Sequence, residues 1–191
     1  MLRPYFVVLT GPPGGGKSTI IKYLASKGYL VLPESYRWMR VFQTIESQYD
    51  SLLKMTVFPS AKADSQLAFE LFRADTDPEV ENSFVFMDRS IIDFMAYCSF
   101  YSSPFLATVK SYAHEYADLI LVAFYIEGRL PDYRKDWLRH ETFTESLSIG
   151  EAICKAYKDC SIPLIHLPSQ STEIAATTIL KHLSDMKENT A

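Results

Sequence analysis

A glycine-rich segment near the start of the chain has the residue types and the spacing of a phosphate-binding loop. Residues 11–18 read GPPGGGKS. Glycines let the backbone wrap closely around phosphates, so that successive N–H groups and the N-terminus of the following helix point at the anion. The lysine of this pattern reaches the β- and γ-phosphates, and the serine hydroxyl holds Mg²⁺. The segment predicts binding of ATP with Mg²⁺, with contacts from Gly11, Gly14, Gly15, Gly16, Lys17, Ser18 and Thr19.

The segments on either side of the loop match the context that such a loop requires, a strand before it and a helix after it. Residues 5–9 are apolar and predict a buried strand. After Lys17, apolar residues at Ile20, Ile21 and Leu24 form one stripe of a helix, and Gly28 is placed to end that helix. A glycine-rich turn that matches the pattern by chance has no reason to lie between a strand and a helix, so these neighbours favour a phosphate-binding loop.

Composition limits the classes of protein to consider. The 191 residues are 48% apolar, enough for one domain with a substantial core, and the formal net charge of −4 argues against a general nucleic-acid binder. The three cysteines lack paired spacing and predict reduced thiols, and the scattered histidines lack metal-ligand spacing, so Mg²⁺ is the only metal expected. The apolar start is too short to span a membrane. A cytoplasmic location is the simplest hypothesis.

Short apolar runs alternate with longer helical patterns along the chain. This rhythm predicts an α/β fold, a three-layer sandwich with a central parallel five-stranded sheet and helices on both faces. The candidate strands are Tyr5–Leu9, Tyr29–Leu32, Phe84–Met87, Leu119–Tyr125 and Pro163–Leu167. Helices are expected from Lys17, within Ser35–Asp75, after Arg89, over Thr142–Lys158 and from about Thr172.

Two segments interrupt this rhythm within the predicted single domain, residues 1–191. Residues 35–80 form a long insertion, rich in aromatic residues and arginines, that is expected on the acceptor side of the site; taken one by one, its aromatics are better explained as the packed faces of amphipathic helices. Residues 127–141 interleave basic and acidic residues, including Arg139, and predict a lid that neutralises phosphate charge and excludes water. A solvated mixed-charge helix is the alternative there.

Three residues at predicted strand ends converge on the glycine-rich loop, because ligands of open α/β sheets bind beyond the carboxyl ends of the strands. Glu34 follows the second strand and could accept a proton from an attacking hydroxyl, or could only cap a helix. Asp88 ends the run FVFMD, where a carboxylate holds Mg²⁺ directly or through water. Arg89 could touch phosphate or acceptor, or could pair with a neighbouring carboxylate.

Three stretches together, GPPGGGKST, VLPESYR and MDRSIIDFMAY, resemble the AAA-type P-loop domain family that includes the ribosylnicotinamide kinase domain of NadR-type proteins. The placement of Glu34, Asp88 and Arg89 is also similar to that in deoxyribonucleoside kinases, although those enzymes carry Glu before the Arg. The resemblance implies a P-loop fold and a substrate hydroxyl near Glu34, with the Glu34 carboxylate acting as the base. It also implies that Arg139 lies in the lid.

The resulting prediction is a phosphotransferase in which Glu34 activates an acceptor hydroxyl while Lys17, Arg89 and Arg139 stabilise the transferred phosphoryl group. Asp88 and Ser18 are the predicted magnesium ligands. The expected partners are a nucleoside triphosphate and a small-molecule acceptor such as a nucleoside or ribosyl compound. A nucleotide-binding regulatory ATPase module is the alternative. Acceptor identity, the choice between ATP and GTP, and oligomeric state stay open.

Overall fold

The computed structural model describes residues 5–32, 84–104, 106–128 and 142–188. The predicted insertion at 35–80 and the lid residues 129–141 lie outside this part of the chain. Within it, the predicted α/β architecture is confirmed: five parallel strands form one sheet in the order β2-β3-β1-β4-β5, with helices on both faces. The strands are β1 (Tyr5–Thr10), β2 (Leu30–Leu32), β3 (Phe84–Asp88), β4 (Ile120–Ile126) and β5 (Leu164–Leu167).

The described helices connect these strands. They are α1 (Lys17–Ser26), α2 (Ile91–Phe100), α3 (Leu106–Ala117), α4 (Phe143–Asp159) and α5 (Thr172–Glu188). The predicted role of Gly28 is confirmed, since its φ is +87° and it follows the capping residue Lys27. The N–H of Gly28 bonds to the carbonyl of Ala25, and that of Tyr29 bonds to the carbonyl of Leu24. These bonds are the Schellman pattern that ends a helix.

The single helix expected after Arg89 is in fact two helices, α2 and α3. The chain turns between them at Ser102, which has a φ of +50°, and the N–H of Ser103 bonds to the carbonyl of Cys98 at 2.8 Å. Pro104 follows directly. A proline disfavours helical backbone at the residue before it, so the helix cannot continue through this point.

Each face of the sheet has its own apolar core, because successive residues of a strand point to opposite faces. In β1, Phe6 and Val8 pack toward α2, α3 and α4, whereas Val7 and Leu9 pack toward α1 and α5. The sheet is therefore buried on both sides, and ligands can reach it at the ends of its strands. None of the described helices is long and apolar enough to cross a membrane.

Candidate functional site

The glycine-rich loop joins β1 to α1 at the carboxyl edge of the sheet. It lies directly against the end of the neighbouring strand β4. Gly11 has a φ of +126°, and a Cβ there would overlap the carbonyl oxygen of Ile126; a Cβ on Gly15 would lie 2.9 Å from the same oxygen. A side chain at Gly11 would therefore combine a backbone conformation that L-residues rarely adopt with a clash against the backbone.

The N-terminus of α1 differs from those of α2 and α4. Ser90 with Asp93, and Thr142 with Glu145, form complete capping boxes at the starts of α2 and α4. Helix α1 follows Gly16 in a left-handed conformation, and within the described residues no side-chain hydrogen bond caps it. The first N–H groups of a helix carry partial positive charge and need acceptors. The start of α1 thus has the chemistry of an anion site.

Lys17 is the first residue of α1 and is only 5% exposed. Its Nζ donates hydrogen bonds to the carbonyl oxygens of Gly11, at 3.1 Å, and Pro12, at 2.8 Å. The ammonium group therefore lies over the loop itself. Ser18 is partly buried and Thr19 exposed on the first turn of the helix. Contact of these side chains with phosphates or Mg²⁺ stays a prediction.

Asp88 is the last residue of β3 and is 5% exposed. Its backbone lies beside Leu9 of β1, two residues before the loop begins. In the described residues, no three acidic, histidine or cysteine side chains are grouped to hold a metal by themselves. Mg²⁺ in phosphoryl-transfer sites takes one or two protein oxygens and completes its shell with water and substrate phosphates. The Asp88 carboxylate and the Ser18 hydroxyl fit that donor set.

Arg89 pairs with a neighbouring carboxylate, which the sequence analysis gave as the alternative to contact with phosphate or acceptor. Its backbone has a φ of +67°, and its Nη1 donates to Oδ1 of Asp93 at 3.0 Å and to the carbonyl oxygen of Gly11 at 3.1 Å. The guanidinium carbon lies 5.3 Å from the ring centre of Tyr97, within the range of a cation–π contact. Contact of Arg89 with a transferred phosphate stays a prediction.

Sequence reasoning missed the buried carboxylate of Asp93, which is 1% exposed. It accepts hydrogen bonds from the hydroxyls of Thr10, at 2.5 Å, and Tyr157, at 2.7 Å, and from the backbone N–H of Ser90, at 3.0 Å. We call Thr10, Arg89, Ser90, Asp93 and Tyr157 the Asp93 cluster. Burial, together with the nearby Asp93, raises the pKa of Tyr157 well above its ordinary value. The spacing of Ser90 and Asp93 is a capping-box signal that the sequence did contain.

Helix α4 contacts the two prolines of the loop, Pro12 and Pro13. The hydroxyl of Ser146, which is 1% exposed, donates to the carbonyl oxygen of Pro13 at 2.9 Å. One turn later, a Cβ on Gly150 would overlap the hydroxyl of Tyr125 and lie 3.5 Å from Cβ of Pro12. Ser146 and Pro13 are 133 residues apart in the sequence, and no local pattern connects them.

Two of the predicted site residues, Glu34 and Arg139, lie outside the described residues. Strand β2 ends at Leu32, two residues before Glu34, and Leu32 lies beside Met87 of β3. The structure thus brings together the loop residues 11–19, Asp88 and Arg89 at one edge of the sheet. It adds the Asp93 cluster and the start of α4 behind them.

Residues 6–174 match the family of AAA domains. No curated protein sequence matches the chain significantly. Solved structures do share its fold. Thymidylate kinase from Candida albicans superposes with a TM-score of 0.63 at 15% identity, covering 97% of this chain and 93% of the kinase. Thymidylate kinase from Ehrlichia chaffeensis gives a TM-score of 0.61 at 14% identity, covering 94% and 98%.

The structure of the NadR protein in complex with NR is also similar. Its TM-score is 0.64 at 18% identity, and the match covers 86% of this chain but 45% of the NadR chain. The chain thus spans less than half of that protein. The suspected resemblance to NadR-type and nucleoside-kinase-like P-loop domains is confirmed by the family match together with these neighbours. At such identities the neighbours show a P-loop kinase-like fold, a fold that binds nucleotides.

Proposed function

We propose that this chain, which belongs to the AAA domain family, is a phosphotransferase that moves the γ-phosphate of ATP to a hydroxyl group of a small molecule. The observation that carries the proposal is the position of Asp88, buried at the end of β3. The adjacent strand β1 leads into the loop and into α1, whose N-terminus has no side-chain cap among the described residues. An anion site beside a buried carboxylate suits a phosphate chain that arrives with a cation.

The proposed acceptor is a nucleoside or a ribosyl compound. The similar solved structures support this class, because two of them are thymidylate kinases and one is NadR in complex with NR. Glu34 is proposed as the base that accepts the proton of the attacking hydroxyl. Its support is its sequence position, two residues after β2 ends at Leu32, which lies beside Met87, the residue before Asp88.

The loop residues Gly11, Gly14, Gly15 and Gly16 are proposed to surround the phosphates with backbone N–H groups. Lys17 would exchange its loop carbonyls for the β- and γ-phosphates, where a charged donor forms stronger hydrogen bonds. Ser18 and Asp88 are proposed to hold Mg²⁺, and the ion supplies charge stabilisation to the transferred phosphoryl group when it is bound. We also propose that residues 1–191 form one domain, with an acceptor-side insertion at 35–80.

Arg139 is proposed to close over the phosphates as part of a lid at residues 127–141. Hydrogen exchange measured with and without ATP and acceptor tests this proposal. We expect the amides of this segment to become protected when both ligands are bound. Equal exchange in the two states would contradict the lid. The proposed use of ATP, together with the three free thiols of Cys98, Cys154 and Cys160, favours the cytoplasm as the place of the reaction.

An ATP-consumption screen tests the reaction itself. Purified protein is incubated with ATP, Mg²⁺ and, in separate wells, nucleosides, ribosyl compounds and other small alcohols. Turnover that requires one of these acceptors supports the phosphotransferase. ATP binding with the same slow hydrolysis in every well would instead support a regulatory ATPase module. Failure to bind any nucleoside triphosphate would overturn both functions.

Replacing Glu34 by Gln separates a base from a helix cap. Gln keeps the shape and the hydrogen-bonding oxygen but accepts no proton at neutral pH. For a general base we expect acceptor phosphorylation to fall by roughly 10²–10⁴-fold with nearly unchanged ATP affinity. Glu173→Gln is the matched control, because Glu173 is an exposed carboxylate in the first turn of α5. Phosphorylation by Glu34→Gln at the rate of this control would remove the base assignment.

A further inference from the structure

The carbonyl oxygen of Gly11 receives hydrogen bonds from two cationic side chains. Nζ of Lys17 and Nη1 of Arg89 each lie 3.1 Å from it. Lys17 also donates to the carbonyl of Pro12, so its ammonium group is held by the loop before any phosphate is bound. If Lys17 turned to the phosphates, the buried Gly11 carbonyl would lose one of these two donors. A buried carbonyl with no donor is costly, so the second donor matters.

Arg89 is held in place by Asp93. The Arg89 side chain is 12% exposed, and the carboxylate of Asp93 forms an ion pair with it at 3.0 Å. The same Nη1 donates to both Asp93 and Gly11, so the carboxylate helps to hold the nitrogen that reaches the loop. A buried guanidinium group needs such a partner, because an uncompensated buried charge is strongly destabilising.

Asp93 is in turn fixed from three elements of the fold. Thr10, at the end of β1, donates to Oδ1, while the N–H of Ser90 and the hydroxyl of Tyr157, on α4, donate to Oδ2. Thr10 is also the residue before Gly11, so the Asp93 cluster reaches the start of the loop along the backbone and through Arg89. The carboxylate of Asp93 accepts hydrogen bonds at both of its oxygens, and this network restricts its rotation.

We propose that Asp93 is a positioning residue for nucleotide binding: it keeps Arg89 on the carbonyl oxygen of Gly11, so that Lys17 can leave this carbonyl for the phosphates while the loop keeps its shape. Asp93 makes no contact with the nucleotide in this role and acts through Arg89. The inference rests on the proposed binding of ATP. It also gives a structural reason for the spacing of Arg89 and Asp93, which lie one helical turn apart.

The test is a double-mutant cycle on ATP affinity, with the variants Asp93→Asn, Arg89→Met and the two combined. Dissociation constants are measured by titration of ATP–Mg²⁺ at a temperature where circular dichroism shows every variant to be folded. We expect each single variant to bind ATP about tenfold more weakly, the effect of losing one charge-assisted hydrogen bond. The double variant should bind no more weakly than Arg89→Met, because both changes remove the same contact.

Asp118→Asn is the matched control. It removes one negative charge at an exposed residue between α3 and β4, at the amino end of β4, whereas the glycine-rich loop lies at the carboxyl ends of the strands. Three results would overturn the inference: an Asp93→Asn affinity equal to that of this control, single effects that multiply in the double variant, or tighter ATP binding by Asp93→Asn. The last result would mean that Arg89, once released, reaches the phosphates.

A merely structural role for Asp93 would lower the unfolding midpoint without changing the ATP affinity of the folded protein. If Asp93→Asn alone does not fold, the double variant still decides, because it removes both members of the Arg89–Asp93 ion pair together and leaves neither charge of that pair without the other. Its ATP affinity should equal that of Arg89→Met, and markedly weaker binding would overturn the inference. The titration of the wild-type protein distinguishes failure of the proposed function from failure of this inference. A wild-type protein that binds no ATP refutes the proposed function. If the wild-type protein binds ATP and Asp93→Asn binds it as tightly as Asp118→Asn does, only the role of Asp93 is refuted.

Discussion

Substitution of Gly150 by Ala tests the contact between α4 and the nucleotide loop. In the interior of a helix, Ala is more favourable than Gly by about 1 kcal/mol, so this change normally stabilises a protein. Here the added Cβ would overlap the hydroxyl of Tyr125, while its distance of 3.5 Å from Cβ of Pro12 is an ordinary contact. The hydroxyl of Tyr125 alone therefore opposes the new methyl group.

The expected magnitude follows from these two opposing effects. Overpacking of a buried contact lowers the free energy of unfolding by about 1–3 kcal/mol, and the helix preference of Ala over Gly raises it by about 1 kcal/mol. We expect Gly150→Ala to lower the free energy of unfolding by about 1 kcal/mol in the wild-type background. In a Tyr125→Phe background the obstacle is gone, because the next ring atom is 3.6 Å from the Cβ position. There the same change should stabilise the protein.

Urea unfolding followed by circular dichroism measures the four proteins of this cycle. Tyr125→Phe alone also loses the interaction of the Tyr125 hydroxyl with Cys154, but the cycle removes this common term. Gly28→Ala is the control glycine: its φ is +87° and no atom lies within 4 Å of its Cβ position. Its effect should be the same with Tyr125 or Phe at position 125.

One outcome would refute the reasoning directly. If Gly150→Ala changes stability by the same amount in both backgrounds, the hydroxyl of Tyr125 does not lie against Gly150. The packing of α4 on the loop, which also includes the hydrogen bond from Ser146 to Pro13, would then be wrong.

Three further predictions concern the loop, the metal and a buried tyrosine. Lys17→Ala should weaken ATP binding by at least about tenfold, since a charge-assisted phosphate contact is lost; an unchanged titration would contradict this. Asp88→Asn should raise the Mg²⁺ concentration needed for ATP binding or turnover, because an amide lacks the charge of the carboxylate; a wild-type Mg²⁺ titration would contradict it. Burial raises the pKa of Tyr157 well above the ordinary value of 10.0, so above that pH the unfolded chain loses this proton first and the free energy of unfolding falls. Tyr157→Phe has no such proton and should show a shallower alkaline fall in urea titrations; equal slopes would contradict the assignment.

Elements with local signals can be read from the amino-acid sequence alone. All five strands lie within one residue of their predicted bounds, since each is a short apolar run, and the spacing of its glycines and Lys17 identifies the loop. The end of α1 was predicted from Gly28, because only the backbone at that one position has to be left-handed. The break between α2 and α3 was missed although Pro104 marked it.

The partners of the buried polar side chains follow from the fold and not from local sequence. From the sequence, Arg89 could face phosphate, acceptor or a carboxylate; the fold places it on Asp93 and on the carbonyl of Gly11. Tyr157 reaches Asp93 across 64 residues of sequence, and Ser146 reaches Pro13 across 133. Such contacts exist because α4 packs beside α2 over the same face of the sheet. Periodicity within a helix shows that one of its faces is buried, but it carries no information about the element that covers this face.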